Sequence, residues 1–349
     1  MTDMMKVGLL AEPGRFIVEE RPIPEVGPGE VRIRVAACGI CGTDLHAYNG
    51  HTPGGWKIVF PFQMGHELSG VIDAMGEGIP EYTGLKLGDR VVPDGRMPCR
   101  FCQYCRRGQF NLCKNMSYIS GGFAQYMVYP YRNLVKVPDN VPLDAAAFGE
   151  PLACVVNGNS QLSNVPFAAF GLVIGAGPIG LLHLQMLKMR GLTTAIADLR
   201  DHRLQAARDL GADHVIDVRT QDLKEEIKRL TDGYMADVVI SAAGGDERVI
   251  DQAIDVAGKR GQIVYFGAVM KTPMTVGIDS IHYRETQLLG SHDSTIAQYE
   301  TAMKLLGNGK INAEPIISHR YPLEEIWDAF KFAATRDGIK VMVVNEGVE

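Results

Sequence analysis

Positive charge is in short supply in this sequence: 35 Lys and Arg stand against 41 Asp and Glu, a formal charge of −6, with no basic run among them. Without a basic field for phosphate backbones, nucleic acid is not an expected partner. The first residues, Met1 to Leu10, lack the charged, then apolar, then small order of a secretory signal, so the expected location is the cytoplasm. No apolar run is long enough to span a membrane. Val165 to Leu182 is free of charge, but Pro166, Pro178 and the glycines at 171, 175, 177 and 180 interrupt it, which suits a buried parallel strand and its turn. Internal repeats and low-complexity tracts are also absent. Cysteine is sparse and odd in number, with seven residues at 38, 41, 99, 102, 105, 113 and 154. An odd, clustered set in a reducing compartment points to metal binding before disulfides.

What is present is a folded-protein composition. Of 349 residues, 46% are hydrophobic and 22% charged, far from the signature of disorder, and the length exceeds what one core usually holds. Two domains are expected. The first 150 or so residues are rich in Gly and Pro, with short apolar runs at Val31 to Ala37, Leu68 to Ala74 and Gln125 to Tyr129 that predict short strands and loops. From about residue 165 the rhythm becomes strand, helix, strand: Phe170 to Ile174, a helix from Pro178 to Arg190, Thr194 to Ala197, then a helix from Asp201 to Leu210 with Asp201 as N-cap. Strands Val215 to Asp217, Asp237 to Ser241 and Gln262 to Gly267 follow, alternating with helices Leu223 to Leu230 and Arg248 to Val256. Beyond Leu289 the pattern is mixed, with helices near Ile296 to Leu306 and Leu323 to Ala334.

Gly175-Ala176-Gly177-Pro178-Ile179-Gly180 reads G-x-G-x-x-G. With 39 glycines in the chain the motif alone is weak, but here it follows an apolar strand, opens a helix and precedes Asp198 at the end of the next strand, roughly 20 residues on. Gly175 permits the turn, Gly177 admits a pyrophosphate to the backbone and the positive helix end, and Gly180 lets helix and strand pack. Asp198 would accept the adenine-ribose hydroxyls and repel a 2′-phosphate, which favours NAD. Arg200 and Arg203 just beyond argue the other way, since guanidinium groups bind phosphate. Gly175, Gly177, Pro178, Ile179, Gly180, Asp198 and Arg203 are the candidate coenzyme contacts.

Cys99, Cys102, Cys105 and Cys113 read C-x2-C-x2-C-x7-C. Four thiolates in a short loop can close a tetrahedral shell around zinc with no open position, which makes a structural site. Iron–sulfur clusters use similar thiolates at other spacings. A second set is spread out: Cys41 in Cys-Gly-Thr-Asp-Leu-His, Gly65-His66-Glu67, and Glu150 in Gly-Glu-Pro-Leu. Thiolate, imidazole and carboxylate together make a mixed shell with room for a water or a substrate oxygen.

Across essentially its whole length the chain resembles the zinc-containing medium-chain dehydrogenases. The match comprises C-G-T-D-x-H at Cys41 to His46, G-H-E-L-S-G at Gly65 to Gly70 with Gly76 further on, G-D-R-V at Gly88 to Val91, the four-cysteine lobe and G-A-G-P-I-G. It is most similar to the sorbitol (polyol) dehydrogenases, because Glu150 stands where simple alcohol dehydrogenases have a third cysteine ligand. The resemblance implies an α/β architecture: a GroES-like, mostly-β catalytic domain of residues 1–152 and 288–349, and a Rossmann domain of residues 153–287, with the coenzyme in the cleft. It implies a homo-oligomer, tetramer or dimer. Cys41 and His66 are implied zinc ligands, Glu150 binds directly or through the zinc's water, and Glu67 is a ligand or an outer group. Asp44 would orient the ligand imidazole.

The implied reaction moves a hydride from a zinc-activated alcohol to NAD, with Thr43 and His46 relaying the proton. A merely exposed loop histidine is the other reading of His46. Cys38 and Cys154 read as small buried hydrophobes. The sorbitol branch has Tyr after the relay His and Arg-Tyr after the last coenzyme-domain strand. This chain has Ala47 and Gly290-Ser291-His292-Asp293-Ser294 there, which weakens the implication of sorbitol itself. Tyr48, Asn49, His51, His292 and Asp293 are the residues expected to hydrogen-bond substrate hydroxyls. Asp293 would also suit an amino group. Threonine dehydrogenases, which resemble D-P-F-G-N where this chain has E-P-L-A-C, are the second reading. An NAD-binding protein without turnover is the third.

Overall fold

A computed structural model describes residues 3–51, 58–244, 248–267 and 276–348. The chain folds into two compact units: Met1–Ala153 with Ser294–Gly309 and Ile317–Glu349, and Cys154–Asp293 with Lys310–Ile316. No helix among the described residues is long and apolar enough to cross a membrane.

In the first unit, strand Glu30–Gly39 alternates Val31, Ile33 and Val35, all buried, with Arg32 and Arg34, which are only half-buried. That period of two selects a strand with one face on the core. It pairs antiparallel with Glu67–Met75, Tyr126–Pro130 and Lys340–Val344. The resulting seven-stranded sheet runs in the order Leu134–Lys136, Arg90–Pro93, Glu67–Met75, Glu30–Gly39, Lys340–Val344, Ile317–Pro322, with Tyr126–Pro130 added to Glu30–Gly39. A smaller sheet joins Arg15–Pro22, Met4–Glu12 and Phe62–Gln63. The core beside it gathers aromatic rings: Phe330 lies 4.3 Å from Phe16 and 5.5 Å from Tyr48 between centroids, and meets Phe123 edge-on at 5.4 Å. Tyr48 is thereby a core residue, 8% exposed, and its ring packs where a substrate contact was expected. Asn49 and His51 are exposed.

In the second unit six parallel strands lie in the order His214–Asp217, Thr193–Asp198, Phe170–Ile174, Ala236–Ser241, Ala257–Tyr265, Gln287–Gly290. This is the doubly wound order, with its switch between Phe170–Ile174 and Ala236–Ser241. Helices Pro178–Met189, Asp201–Asp209, Leu223–Leu230 and Arg248–Val256 connect them. The apolar stretch that imitates a membrane span is the first strand and the start of its helix, both largely buried in the sheet core. Asp201 is not the N-cap of its helix. Arg200 is, held extended because Asp198 Oδ1 accepts the backbone N–H groups of both Leu199 and Arg200, at 2.7 and 3.0 Å. Inside the helix after the glycine turn, His183 is fully buried, with Asn159 Nδ2 2.9 Å from its Nδ1, and burial pushes its pKa down to about 3. It is a neutral core side chain at physiological pH.

Candidate active site and metal centres

The glycine turn is built as a phosphate cradle. Gly175 has φ +100°, and a Cβ there would meet Ala243 backbone at 2.8 Å; a Cβ on Gly180 would collide with the Gly175 carbonyl. A side chain is therefore excluded at both, for conformation at the first and close approach at the second. Gly177, the N-cap of the helix, is open: the nearest atom to a Cβ there is Arg203 Nη1 at 3.9 Å. Pro178 and Ile179 form the first turn behind it. Asp198 Oδ2 accepts the Ala176 N–H at 2.7 Å, so the carboxylate at the end of the second strand is tied to the turn itself. A half-buried helix N-terminus with an open N-cap glycine, a guanidinium and a fixed carboxylate fit a dinucleotide.

Cys99, Cys102, Cys105 and Cys113 bring four sulfurs within 4.8 Å of one another. The turn is wound so that backbone N–H groups point at them: Cys99 N–H to Cys113 Sγ at 3.2 Å, Cys102 N–H to Cys99 Sγ at 3.4 Å. Those donors favour thiolate. Led by the Cys102 and Phe101 amides, they draw the Cys99 pKa down to about 6, whereas desolvation among its neighbours pushes Cys105 up to about 12. A crowded sulfur set with built-in thiolate donors fits a closed zinc site.

The second set forms where three strands end together. Cys41 precedes helix Gly42–Tyr48, and its Sγ, a His66 ring nitrogen and a Glu67 carboxylate oxygen lie within 4.8 Å of one another. Asp44 joins the parts. Its Oδ2 accepts the Cys41 N–H at 2.9 Å and its Oδ1 lies 3.6 Å from His66 Nδ1, an ion-pair distance. Glu67 is 2% exposed and ion-paired with Lys340, whose Nζ also donates to the Ile40 carbonyl at 3.1 Å. Gly39 makes this possible. It lies opposite Glu67 on one side and Met342 on the other, and a Cβ there would stand 2.8 Å from Lys340 Cε and strike Glu67 Oε2. Burial works to lower the His66 pKa, but the negative charge of Asp44, Cys41 and Glu150 raises it well above its usual value. A field that draws positive charge onto an imidazole is one that suits a dication, so these donors fit a metal.

Glu150 opens helix Gly149–Ser160 and its carboxylate is committed: Oε1 accepts from Arg96 Nη2 at 2.6 Å. Arg96, 6% exposed, also donates Nη1 to Asp94 Oδ1 at 2.9 Å and to Tyr299 Oη at 3.0 Å, with the tyrosine ring 5.5 Å from its guanidinium carbon. Of the expected ligands, the fold gathers Cys41, His66 and Glu67 into one set and gives Glu150 to Arg96. Thr43 Oγ1 lies 3.7 Å from Cys41 Sγ. His46, on the same helix, is half-buried, and its pKa is lowered by desolvation, then by His51 and Arg336. Cys38 is buried as expected. His292 and Asp293 belong to the second unit, where Asn157 Nδ2 donates to both their carbonyls.

Arg96, Asp94, Tyr299 and Lys340 carry no signal in the sequence. Arg96 stands three residues before Cys99, a position with no motif value, and Lys340 reaches Ile40 across 300 residues of chain.

A doubly wound unit with a dinucleotide turn, joined to a β-rich unit with one closed and one open donor set, defines the two-unit medium-chain dehydrogenase class. Residues 27–139 match the alcohol dehydrogenase GroES-like domain family and residues 178–308 the zinc-binding dehydrogenase family. The chain belongs to the zinc-binding, medium-chain alcohol dehydrogenase family, and within it is similar to the polyol branch. Sorbitol dehydrogenase of Halalkalibacterium halodurans is 36% identical over 338 residues, covering 95% of this chain and 96% of that protein. D-arabitol-phosphate dehydrogenase of Enterococcus avium is 33% identical over 328 residues, covering 92% and 91%. The crystal structure of a zinc-binding dehydrogenase from Sinorhizobium meliloti 1021 bound to NADP superposes with a TM-score of 0.90 at 29% identity, covering 98% of this chain and 99% of that one.

Proposed function

We propose that the chain is a zinc-dependent, NAD-linked dehydrogenase that oxidises a secondary alcohol of a polyol, sugar alcohol, sugar acid or inositol-like substrate. The observation that carries this reading is the mixed donor set Cys41, His66 and Glu67, whose potential ligand atoms lie within 4.8 Å of one another. Carboxylates in place of a second thiolate make a harder, wetter shell, which suits neighbouring hydroxyls better than a simple apolar alcohol. Cys41, His66 and Glu67 would hold the catalytic zinc, and Cys99, Cys102, Cys105 and Cys113 the structural one. When bound, zinc supplies Lewis acidity to the alcohol and the nicotinamide accepts the hydride.

The remaining steps fall to the chain. Asp44 stands on the Nδ1 side of the His66 ring, which would leave Nε2 free for the metal, and Lys340 is paired with Glu67. Thr43 Oγ1 takes the alcohol proton towards His46, whose lowered pKa leaves it neutral and able to receive a proton at physiological pH.

NADH formation with a panel of polyols, inositols, sugar acids, L-threonine, ethanol and hexanol tests the reading. Polyols should exceed ethanol and hexanol by on the order of 10²-fold or more in kcat/KM, because a carboxylate-containing, hydrated donor set favours a substrate that presents neighbouring hydroxyls. A higher kcat/KM for ethanol or hexanol would return the chain to the simple alcohol dehydrogenases, and for L-threonine to the amino-acid branch.

Asp198 supports the choice of NAD. In Asp198→Ala the ratio of kcat/KM for NAD over NADP should fall roughly 10–100-fold, the worth of one or two charge-assisted hydrogen bonds. Loss of the Asp198 bond to the Ala176 amide weakens the turn for both coenzymes alike. The ratio therefore isolates the ribose contact, and an unchanged ratio would remove Asp198 from the coenzyme site.

A further inference from the structure

Asp201 does not cap its helix, and its carboxylate turns instead to Arg219, 18 residues on: Nη1 donates to Oδ2 at 3.4 Å and Nη2 to Oδ1. The same guanidinium takes Asp217 along a second edge, Nε to Oδ1 at 2.9 Å and Nη2 to Oδ2 at 2.7 Å, while the Arg219 N–H donates to Asp217 Oδ1 at 3.0 Å. Both pairings are two-pronged. A closed circuit of bonds places this arginine at the coenzyme corner. Asp217 is the register partner of Asp198 on the neighbouring parallel strand, and the Val218 N–H donates to the Asp198 carbonyl at 3.2 Å. Asp198 Oδ1 accepts the N–H groups of Leu199 and Arg200, which lead directly into Asp201. Arg219 then bridges Asp217 and Asp201 and closes the loop over the ends of both strands. Leu199 and Val218, large apolar side chains at this corner, are 55% and 40% exposed. Exposed apolar groups beside a fixed carboxylate suit a purine and its ribose.

We propose that Asp201 and Asp217 set the coenzyme preference together with Asp198, by holding Arg219 away from a 2′-phosphate. The inference rests on the reading of the glycine turn and Asp198 as a dinucleotide site. A 2′-phosphate hangs from the ribose that Asp198 would hold, and a nearby guanidinium is the ordinary means of accepting it. Here that guanidinium has carboxylates along two of its edges. Two carboxylates outweigh one guanidinium, so the cluster presents net negative charge where NADP needs a cation. The donors of Arg219, side chain first and then backbone amide, hold the Asp217 carboxyl down to about 2, and the clamp therefore stays ionised across the working pH range. Exposed ion pairs of this kind add little stability. Their effect belongs in selectivity, because a second charged group, the 2′-phosphate, competes for the same arginine.

Fluorescence titration of the full-length protein with NADH and with NADPH, in the absence of substrate, reads the ratio of the two Kd values directly. The double variant Asp201→Asn, Asp217→Asn keeps the shape of both side chains and removes their charge. In it NADPH should gain roughly 10-fold on NADH, the worth of one charge-assisted hydrogen bond. Arg219→Ala alone should leave NADH preferred at least as strongly as in wild type, because the carboxylates remain. Adding Arg219→Ala to the double variant should cancel most of the gain, a reversal that an ion pair with a purely structural role does not produce. No gain in the double variant, a gain that survives removal of Arg219, or a gain in Arg219→Ala alone would each overturn the proposal. Should the double variant not fold, Asp201→Asn decides, since that side chain is 80% exposed: a smaller shift in the same direction is expected, and an unshifted ratio would overturn the proposal. A wild-type protein that binds neither coenzyme would overturn the dinucleotide reading and this inference with it, whereas binding with an unshifted ratio defeats the role of Arg219 alone.

Discussion

Cys41→Ser and His66→Ala are each expected to lower kcat/KM on the order of 10³-fold or more while the melting temperature and the circular dichroism of the protein stay close to wild type. The size of the effect follows from the several kcal/mol of transition-state stabilisation that a bound Lewis acid supplies, at about 1.4 kcal/mol per tenfold. Folding survives because the two side chains are half-exposed and take little part in the core, which is made by Val31, Ile33, Phe123, Phe330 and their neighbours. Elemental analysis should find close to two zinc ions per wild-type chain and about one in either variant. Activity within a few-fold of wild type in a Cys41→Ser protein lacking one zinc would remove this set from the chemistry.

Cys102→Ser should do the reverse. One ligand lost from a closed four-sulfur site should cost about 3 kcal/mol of the ~10 kcal/mol or more that such a site provides, a fall in melting temperature of roughly 5–10 °C. The folded fraction should keep kcat within a few-fold of wild type. The reason is that the mixed donors are held by contacts that do not involve the four-cysteine lobe: Asp44 joins Cys41 and His66, and Lys340 pairs with Glu67. Thermal unfolding with and without a chelator, read beside kcat per folded molecule, separates the two roles. Complete loss of activity in a Cys102→Ser protein of unchanged stability would reverse the assignment.

The parts of the site that are legible in sequence are those whose members lie close along the chain. Helix limits in the second unit, such as Leu223–Leu230, agree with the apolar periodicity, because a continuous αβ rhythm leaves few alternatives. The Asp201 cap fails for a local reason: Ser, Thr, Asp and Asn favour N-cap positions in general, but Asp198 already fixes the residue before it. Tyr48 has a role in packing that only distant segments reveal. Its hydroxyl suggests a substrate contact, while phenylalanines from distant segments supply the ring with a core.

By itself, then, the sequence determined the four-sulfur set, the glycine turn with its acidic partner, and the identity of the mixed donors. In the four-sulfur set and in the glycine turn itself a short stretch of chain sets the spacing, whereas Asp198 comes to the turn from 22 residues away through the parallel pairing of the two strands, an arrangement the βαβ rhythm announces. Only the tertiary structure decided how the mixed donors are shared out. Glu67 meets Lys340 because Gly39 leaves space between two strands paired to either side of it. Glu150 meets Arg96 from 54 residues away, and Tyr299 closes over that arginine from 203. Which carboxylate faces a lysine and which faces a guanidinium depends on strand register and on where a buried cation finds its counter-charges, and neither is written in the spacing of the residues.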